Sequence, residues 1–461
     1  MASTLHLEIA LLPDGWHENV DVACDDEGTI TDVSFPSPLK GEGKILRGIA
    51  VPGIPNVHSH AHQRAMVGLA ERSGPANDSF WTWREAMYGF ALKMSPEDLQ
   101  AVAAQLYVEM LKSGFTAVGE FQYLHHQPDG SPYAEPAEMT LRCIAAAEDA
   151  GLAVTALPTL YNHGGFGGQK ASEGQRRFLN DADRFLKILS RLKKETDGHP
   201  LRRLGIAPHS LRAVTKDLLA EVIAGLDTLD PAAPIHLHIA EQTKEVDDCL
   251  AWCGLRPVEY WLENFATGPR WCLIHATHMT PEETVGMAGS RAVAGLCPTT
   301  EANLGDGIFD APRYFDSGGA FAVGSDSHIT VGPAEDLRQL EYSLRLRERA
   351  RNVLAGGPHR STGRALLDGA LKGGARSIAQ PMGAIEKGKR ADIVVLDADH
   401  PLLLGRERDE AVDSWIFSAG AAAVKDVIVG GKPVVSDRRH IREDEILGGF
   451  RKAIARLRAK A

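Results

Sequence analysis

Eight short apolar segments, at 48–57, 115–123, 152–161, 203–209, 234–240, 271–277, 292–298 and 319–325, alternate with stretches of helical periodicity. Apolar runs of this length suit strands buried on both faces, and strands separated by helices are joined by crossovers that leave them parallel. Eight such units favour closure into a (β/α)8 TIM barrel over an open sheet. The stretches Pro96–Lys112, Glu138–Ala150, Ala182–Glu195, Thr215–Leu226 and Pro281–Ala288 carry amphipathic spacing. Two announce their starts, because Ser95-Pro96-Glu97-Asp98 and Thr280-Pro281-Glu282-Glu283 each set a capping hydroxyl before a proline and acids.

At 461 residues the chain has room for such a barrel and a smaller domain. Residues 1–48 read as short strands around the turn Asp25-Asp26-Glu27-Gly28, too few to bury a core alone. Ala391–Asp397 and Val424–Val429, the latter before Gly430-Gly431-Lys432, read as strands and a hairpin. The two ends are therefore expected to pair as one small β-sandwich domain, 1–48 with 381–440, around a catalytic barrel at 49–380. A basic helix at 441–461 closes the chain. The net charge of −11 argues against nucleic acid or an anionic membrane as partner, and an anionic substrate would need local arginines. The N-terminal residues MASTLHLEIALLPDGW lack a basic region before a long apolar core, and no window approaches the roughly 20 apolar residues of a membrane span. A cytoplasmic protein is expected. Six cysteines in a chain of this size make no disulfide framework, and Cys249 and Cys253 read as buried reduced thiols.

The chemistry gathers where the apolar segments end, which is where barrel enzymes carry their active sites. The first delivers His58, His60 and Gln63; the second Tyr123; the fourth His209 with Arg212 beyond it; the fifth His238 with Glu241; the sixth His275; the eighth Asp326. The third and seventh supply no clear ligand. In a strand, residues i and i+2 lie on one side, so His58 and His60 aim at one point while Ser59 faces away. One histidine pair is as readily structural as functional, but 18 histidines scattered at random would rarely furnish so many strand ends. His58, His60, His238 and Asp326 would make a three-nitrogen, one-oxygen shell on one divalent metal, with a position left for water. Metal coordination brings the pKa of that water near neutrality. His275, Asp326 and Glu241 are the acids and bases at hand for a nitrogen leaving group. His236 lies deeper and reads as a core histidine, whereas His62 and His328 are placed to orient ligands. The Gly-rich stretch 162–168 is either a surface connection or part of a lid.

These residues, with Ser325-Asp326 and Met382-Gly383-Ala384-Ile385-Glu386-Lys387-Gly388-Lys389-Arg390-Ala391-Asp392 after the barrel, resemble the amidohydrolase superfamily over essentially the whole chain. The resemblance implies a barrel of the metal-dependent hydrolase type. The fourth segment ends in Ala207-Pro208-His209 and not in a lysine, which implies one metal, as in the deaminase branch. Zinc, iron, manganese and cobalt all suit such a shell. Within that branch, Phe80-Trp81-Thr82-Trp83-Arg84-Glu85-Ala86-Met87-Tyr88, Gln63, Glu120-Phe121-Gln122-Tyr123-Leu124-His125 and Ala207-Pro208-His209-Ser210-Leu211-Arg212 look like members that hydrolyse a formimino group. The activity so implied turns N-formimino-L-glutamate and water into N-formyl-L-glutamate and ammonia, a step of histidine degradation. It implies that Glu241 hands protons to the imine nitrogen while His275 and Asp326 activate water. Arg84 and Arg212 would hold the two carboxylates, with Tyr123 and His209 completing the grip and Gln63 at the formimino group. A homodimer is expected by the same analogy. The alternatives are a deaminase of an aromatic base or nucleoside, whose pocket would offer stacking surface and no arginine pair, and a silent scaffold, which would have lost ligands that are all present here. For a lone arginine the ordinary role is a surface ion pair, such as Arg84 with Glu85.

Overall fold

Gly53 divides the first apolar run into two strands that join different sheets, because a Cβ there would overlap the side chain of Thr116. The computed structural model describes residues 3–37, 44–71, 79–356 and 360–459. β1 (Ser3–Leu12), β2 (Gly15–Cys24), β3 (Ile30–Ser34) and β4 (Lys44–Pro52) precede the break. β5 (Ile54–Ser59) follows it, then β6 (Phe115–Gln122), β7 (Ala153–Leu160), β8 (Arg202–Leu204) and β9 (Ala207–Pro208). β10 (Ile235–Ile239), β11 (Trp271–His275), β12 (Val293–Leu296) and β13 (Ala320–Val323) continue the inner set. β14 (Ile393–Leu396), β15 (Val424–Val429), β16 (Lys432–Ser436) and β17 (Arg439–His440) follow the inner set.

The inner strands are parallel, in two sheets ordered β5-β6-β7-β8, with β9 on β7, and β10-β11-β12-β13. Isolated parallel bridges link the sheets at both margins, Ile206 to Ile235 and Ser210 to His238 on one side and Ser59 to Asp326 on the other. Every position of β5, β6, β7, β10, β11 and β12 is buried, which is why they read as apolar runs without alternation. The expected strand at 203–209 is interrupted: a Cβ on Gly205 would meet the Pro234 carbonyl at 2.7 Å, and the chain jogs before β9.

The two chain ends form one eight-stranded sheet, ordered β17-β16-β15-β14-β4-β1-β2-β3. Here β4 runs parallel to β1 and antiparallel to β14, so the N-terminal strands meet the C-terminal ones along β4. The helices lie where periodicity puts them, at Pro96–Ser113, Glu138–Ala150, Ala182–Thr196, Lys216–Leu229 and Pro281–Gly289, and both capping boxes form. The last helix, Glu443–Ala459, packs on Pro96–Ser113, with Arg456 on the buried Asp98 at 2.6 Å. All six cysteines are free; Cys249 is buried, but Cys253, expected buried, is exposed at the end of its helix.

Candidate active site

The end of β5 is tied to the segment after β13 by Asn56. Its Nδ2 donates to Ser325 Oγ at 2.7 Å, and its Oδ1 accepts from the main-chain N–H of Ser325 at 3.2 Å and of His58 at 3.3 Å. Asp326 follows, with Oδ1 3.4 Å from His58 Nε2 and 3.5 Å from His60 Nε2. His238, on β10, brings its Nε2 to 3.0 Å from His58 Nε2. The main chain sets two of the tautomers. His60 Nδ1 donates to the Phe121 carbonyl at 2.8 Å and His238 Nδ1 to the His209 carbonyl at 2.9 Å, and since a carbonyl only accepts, both rings turn an Nε2 lone pair inward. Burial pushes His58 down to about 3. Burial alone would raise Asp326, but its hydrogen bond with His58 and the surrounding imidazoles hold it well below the usual carboxylate range. The result is a buried, proton-poor cluster of neutral imidazoles and one carboxylate, whose lone pairs repel without a cation among them. It fits a divalent transition metal. Donor atoms gather within 4.8 Å in two trios that share His58, one with His60 and Asp326 and one with His238 and His275.

Backbone strain concentrates at these strand ends. Ala240, His275, Ala276, Asp326 and His328 all take positive φ, between 46° and 69°. Ala240 turns the chain out of β10 so that Glu241 lines the cavity. His275 Nε2 stands 3.9 Å from Glu241 Oε1 and 3.8 Å from Asp326 Oδ2, and its Nδ1 donates to Glu301 Oε1 at 3.2 Å. Burial works against an imidazolium, but the carboxylates of Glu241, Glu301 and Asp326 outweigh it and raise His275 to about 10. Glu241 is itself pushed up, by burial first and then by the Asp326 charge, against the opposing pull of His275 and Arg212.

Above this cluster lies a small pocket lined by Gln63, Arg84, Tyr123, His209 and Arg212 together with Glu241, His275 and Asp326. His58 lies beneath it, fully buried. Arg84 comes from α1 (Phe80–Ala91) and Arg212 from the turn after β9. Their guanidinium carbons lie 4.5 and 5.8 Å from the Trp81 ring. Both Nε atoms are buried without a partner, and neither arginine forms an ion pair among the described residues, so the pairing of Arg84 with Glu85 is not made. Tyr123 Oη accepts from Gln63 Nε2 at 2.9 Å and lies 3.0 Å from His62 Nε2. Burial, and next the charge of Arg212, lower His209 well below the ordinary imidazole value.

His328 sits between Ser325 Oγ at 3.0 Å and Ser59 Oγ at 3.3 Å, in contact with the residues that flank the histidine pair. His236 Nε2 meets the Ser377 carbonyl at 2.8 Å, deep in the core. The Gly-rich stretch 162–168 is pinned by Phe166, buried and stacked on Trp252 with centroids 5.5 Å apart. Sequence reasoning missed contributions from the third and seventh segments. Tyr161, just past β7, lines the cavity, and Glu301, on the helix after β12, holds His275. Tyr161 stands at the end of its apolar run as Tyr123 does, a signal that was available; Glu301 lies four residues beyond the strand boundary at Cys297, with nothing local to mark it. Glu120, whose motif the sequence singled out, was given no role there. It accepts from the Ala61 N–H at 2.8 Å and from the hydroxyls of Ser59 and Tyr107, and burial outweighs these bonds to raise it to about 7.

The amidohydrolase family profile matches residues 49–434. A formimidoylglutamate deiminase of Pseudomonas aeruginosa is 50% identical over 458 residues, 99% of either chain. An amidohydrolase crystal structure from Brucella melitensis superposes with a TM-score of 0.92 at 50% identity, covering 99% of both chains. An adenosine deaminase from Xanthomonas campestris, solved with bound zinc, shares the fold at a TM-score of 0.80 and 20% identity, over 99% of this chain and 98% of its own.

Proposed function

This chain belongs to the amidohydrolase family, and from that premise we propose that it hydrolyses the linear amidine of N-formimino-L-glutamate to N-formyl-L-glutamate and ammonia, a step in histidine breakdown. The observation that carries the reading is the pair Arg84 and Arg212, unpaired, facing the same cavity as Glu241 and His275. Two half-buried guanidinium groups with no ion-pair partner among the described residues suit a substrate that brings two carboxylates, which they can hold bidentately. An aromatic base brings no anion to pair with them.

His58, His60, His238 and Asp326 would hold one divalent metal, for which we propose zinc, with iron or manganese as the alternatives. Bound there, such an ion supplies Lewis acidity and lowers the pKa of water toward neutrality. The chain's own groups handle the protons. Asp326, held as a carboxylate beside the His275 imidazolium, takes a proton from the attacking water. Glu241, whose raised pKa favours the acid form, donates to the imine nitrogen, takes up the hydroxyl proton of the tetrahedral adduct and passes it to the departing ammonia; the proton held by Asp326 then restores Glu241. Gln63 contacts the formimino group, while Tyr123 and His209 complete the grip of Arg84 and Arg212 on the carboxylates.

We read the two parallel sheets, bridged at both margins, as one closed (β/α)8 barrel at 49–380, with 1–48 and 381–440 as the small β domain and 441–461 as the terminal helix. No described helix is long and apolar enough to cross a membrane, and we place the protein in the cytoplasm as a homodimer. The discriminating experiment compares ammonia release from N-formimino-L-glutamate with that from adenosine, guanine and cytosine on metal-replete protein. Turnover confined to the formimino compound supports the assignment; preference for a base overturns it.

A further inference from the structure

Beside the arginines, Gln175 joins Tyr161 and Tyr88 in a buried cluster. Its amide can face only one way: Oε1 accepts the main-chain N–H of Ser172 at 2.8 Å, in a turn of the loop after β7, which leaves Nε2, a pure donor, on the other side. That nitrogen donates to Tyr161 Oη at 2.6 Å and reaches Tyr88 Oη at 3.4 Å. A phenol whose lone pair is filled by an N–H must send its own proton elsewhere. Neither hydroxyl has an acceptor for that proton among the described residues, and both tyrosines are buried against the cavity that Arg84 and Arg212 line. This wall therefore presents two guanidinium groups and two hydroxyl protons, all donors.

We infer that Gln175 orients Tyr161 and Tyr88 as neutral hydrogen-bond donors to one carboxylate of the substrate, so that they separate a carboxylate from a carboxamide. The inference rests on the reading of Arg84 and Arg212 as a carboxylate clamp. A carboxylate accepts at both oxygens and satisfies these donors, whereas an amide turns an NH2 against one of them and leaves buried groups unpaired. Tyr161 and Tyr88 would touch the substrate; Gln175 acts through them, as a positioning residue.

The test uses full-length, metal-replete Tyr161→Phe, Tyr88→Phe, Gln175→Glu, Gln175→Ala and Arg84→Met with N-formimino-L-glutamate and its two mono-amides. Tyr161→Phe should raise KM about tenfold with kcat within about threefold of wild type and metal content unchanged, and should lose selectivity against one mono-amide by a similar factor, the scale of one lost hydrogen bond. Gln175→Glu, nearly isosteric but an acceptor, draws the phenol protons away from the cavity and should raise KM more than Gln175→Ala. A merely structural Gln175 predicts the reverse order. The inference falls if Tyr161→Phe keeps KM within twofold while Arg84→Met raises it, or if Gln175→Ala is the worse of the pair. If Tyr161→Phe and Arg84→Met both leave KM unchanged, the arginine clamp falls with it.

Discussion

Glu241 is the residue on which the proposed chemistry can be tried most directly, because it lines the pocket without being one of the proposed metal ligands. Replacing it with Gln should leave metal content intact and lower kcat by ~10²–10⁴-fold, the usual loss when a positioned acid is removed. Its raised pKa fixes the sign of the pH dependence. The acid form persists above the range where an exposed glutamate ionises, so wild-type kcat should decline on the alkaline side as Glu241 loses its proton, and the residual rate of Glu241→Gln should lack that limb. His58→Ala or His60→Ala should instead remove metal and turnover together, read by elemental analysis beside activity. Glu120 makes the stability of the metal-free protein depend on pH, beside Glu241 and Asp306, which burial raises in the same direction. With its pKa moved from 4.5 to about 7, the folded state keeps a proton that the unfolded chain has released, so stability present at low pH is lost as pH rises through this window, on the order of 3 kcal/mol. Glu120→Gln should flatten the fall of Tm between pH 5 and 8 relative to wild type. The histidine pair was legible in the sequence because strand alternation makes i and i+2 neighbours. Glu301 and Gln175 were not, since each acts through a contact that exists only after a distant loop has folded.

At the scale of elements, the site is a set of strand ends held in register by close approaches. Gly324 lies between β13 and Asp326, and a Cβ there would meet the His58 main-chain nitrogen and Cβ at 2.7 Å. Gly324→Ala should therefore push β5 away from β13 and weaken metal retention against a chelator. Arg84 and Arg212 approach the cavity from separate elements, α1 and the turn after β9, so each can be removed alone. Loss of either should raise KM for N-formimino-L-glutamate at least about tenfold, equivalent to ~1.4 kcal/mol, with normal metal content. The eight apolar segments were readable because strands buried on both faces carry no polar interruptions. Their internal breaks fall on Gly53 and Gly205, whose glycines are visible in the sequence, but the partners that force them, Thr116 and Pro234, are brought near only by the fold.

Across the whole molecule, the outer sheet and the metal strands are continuous through a single residue, since β4 leads by way of Gly53 straight into β5 and the histidine pair. The sheet takes strands from both termini, and β4, in its middle, borders β1 on one edge and β14 on the other. Synthesis runs in one direction, and this gives the arrangement a temporal meaning. While the ribosome works through the long catalytic stretch, β4 has its N-terminal neighbour, yet the edge destined for Ile393–Leu396 stays open, offering unpaired N–H and C=O groups flanked by apolar side chains such as Ile49 and Val51. A nascent chain that stalls short of that point carries a sticky strand next to its future metal site. Polypeptides ended at residue 380 should accordingly collect in the insoluble fraction, and supplying the missing strands in trans as residues 381–461 during expression should return part of them to solution.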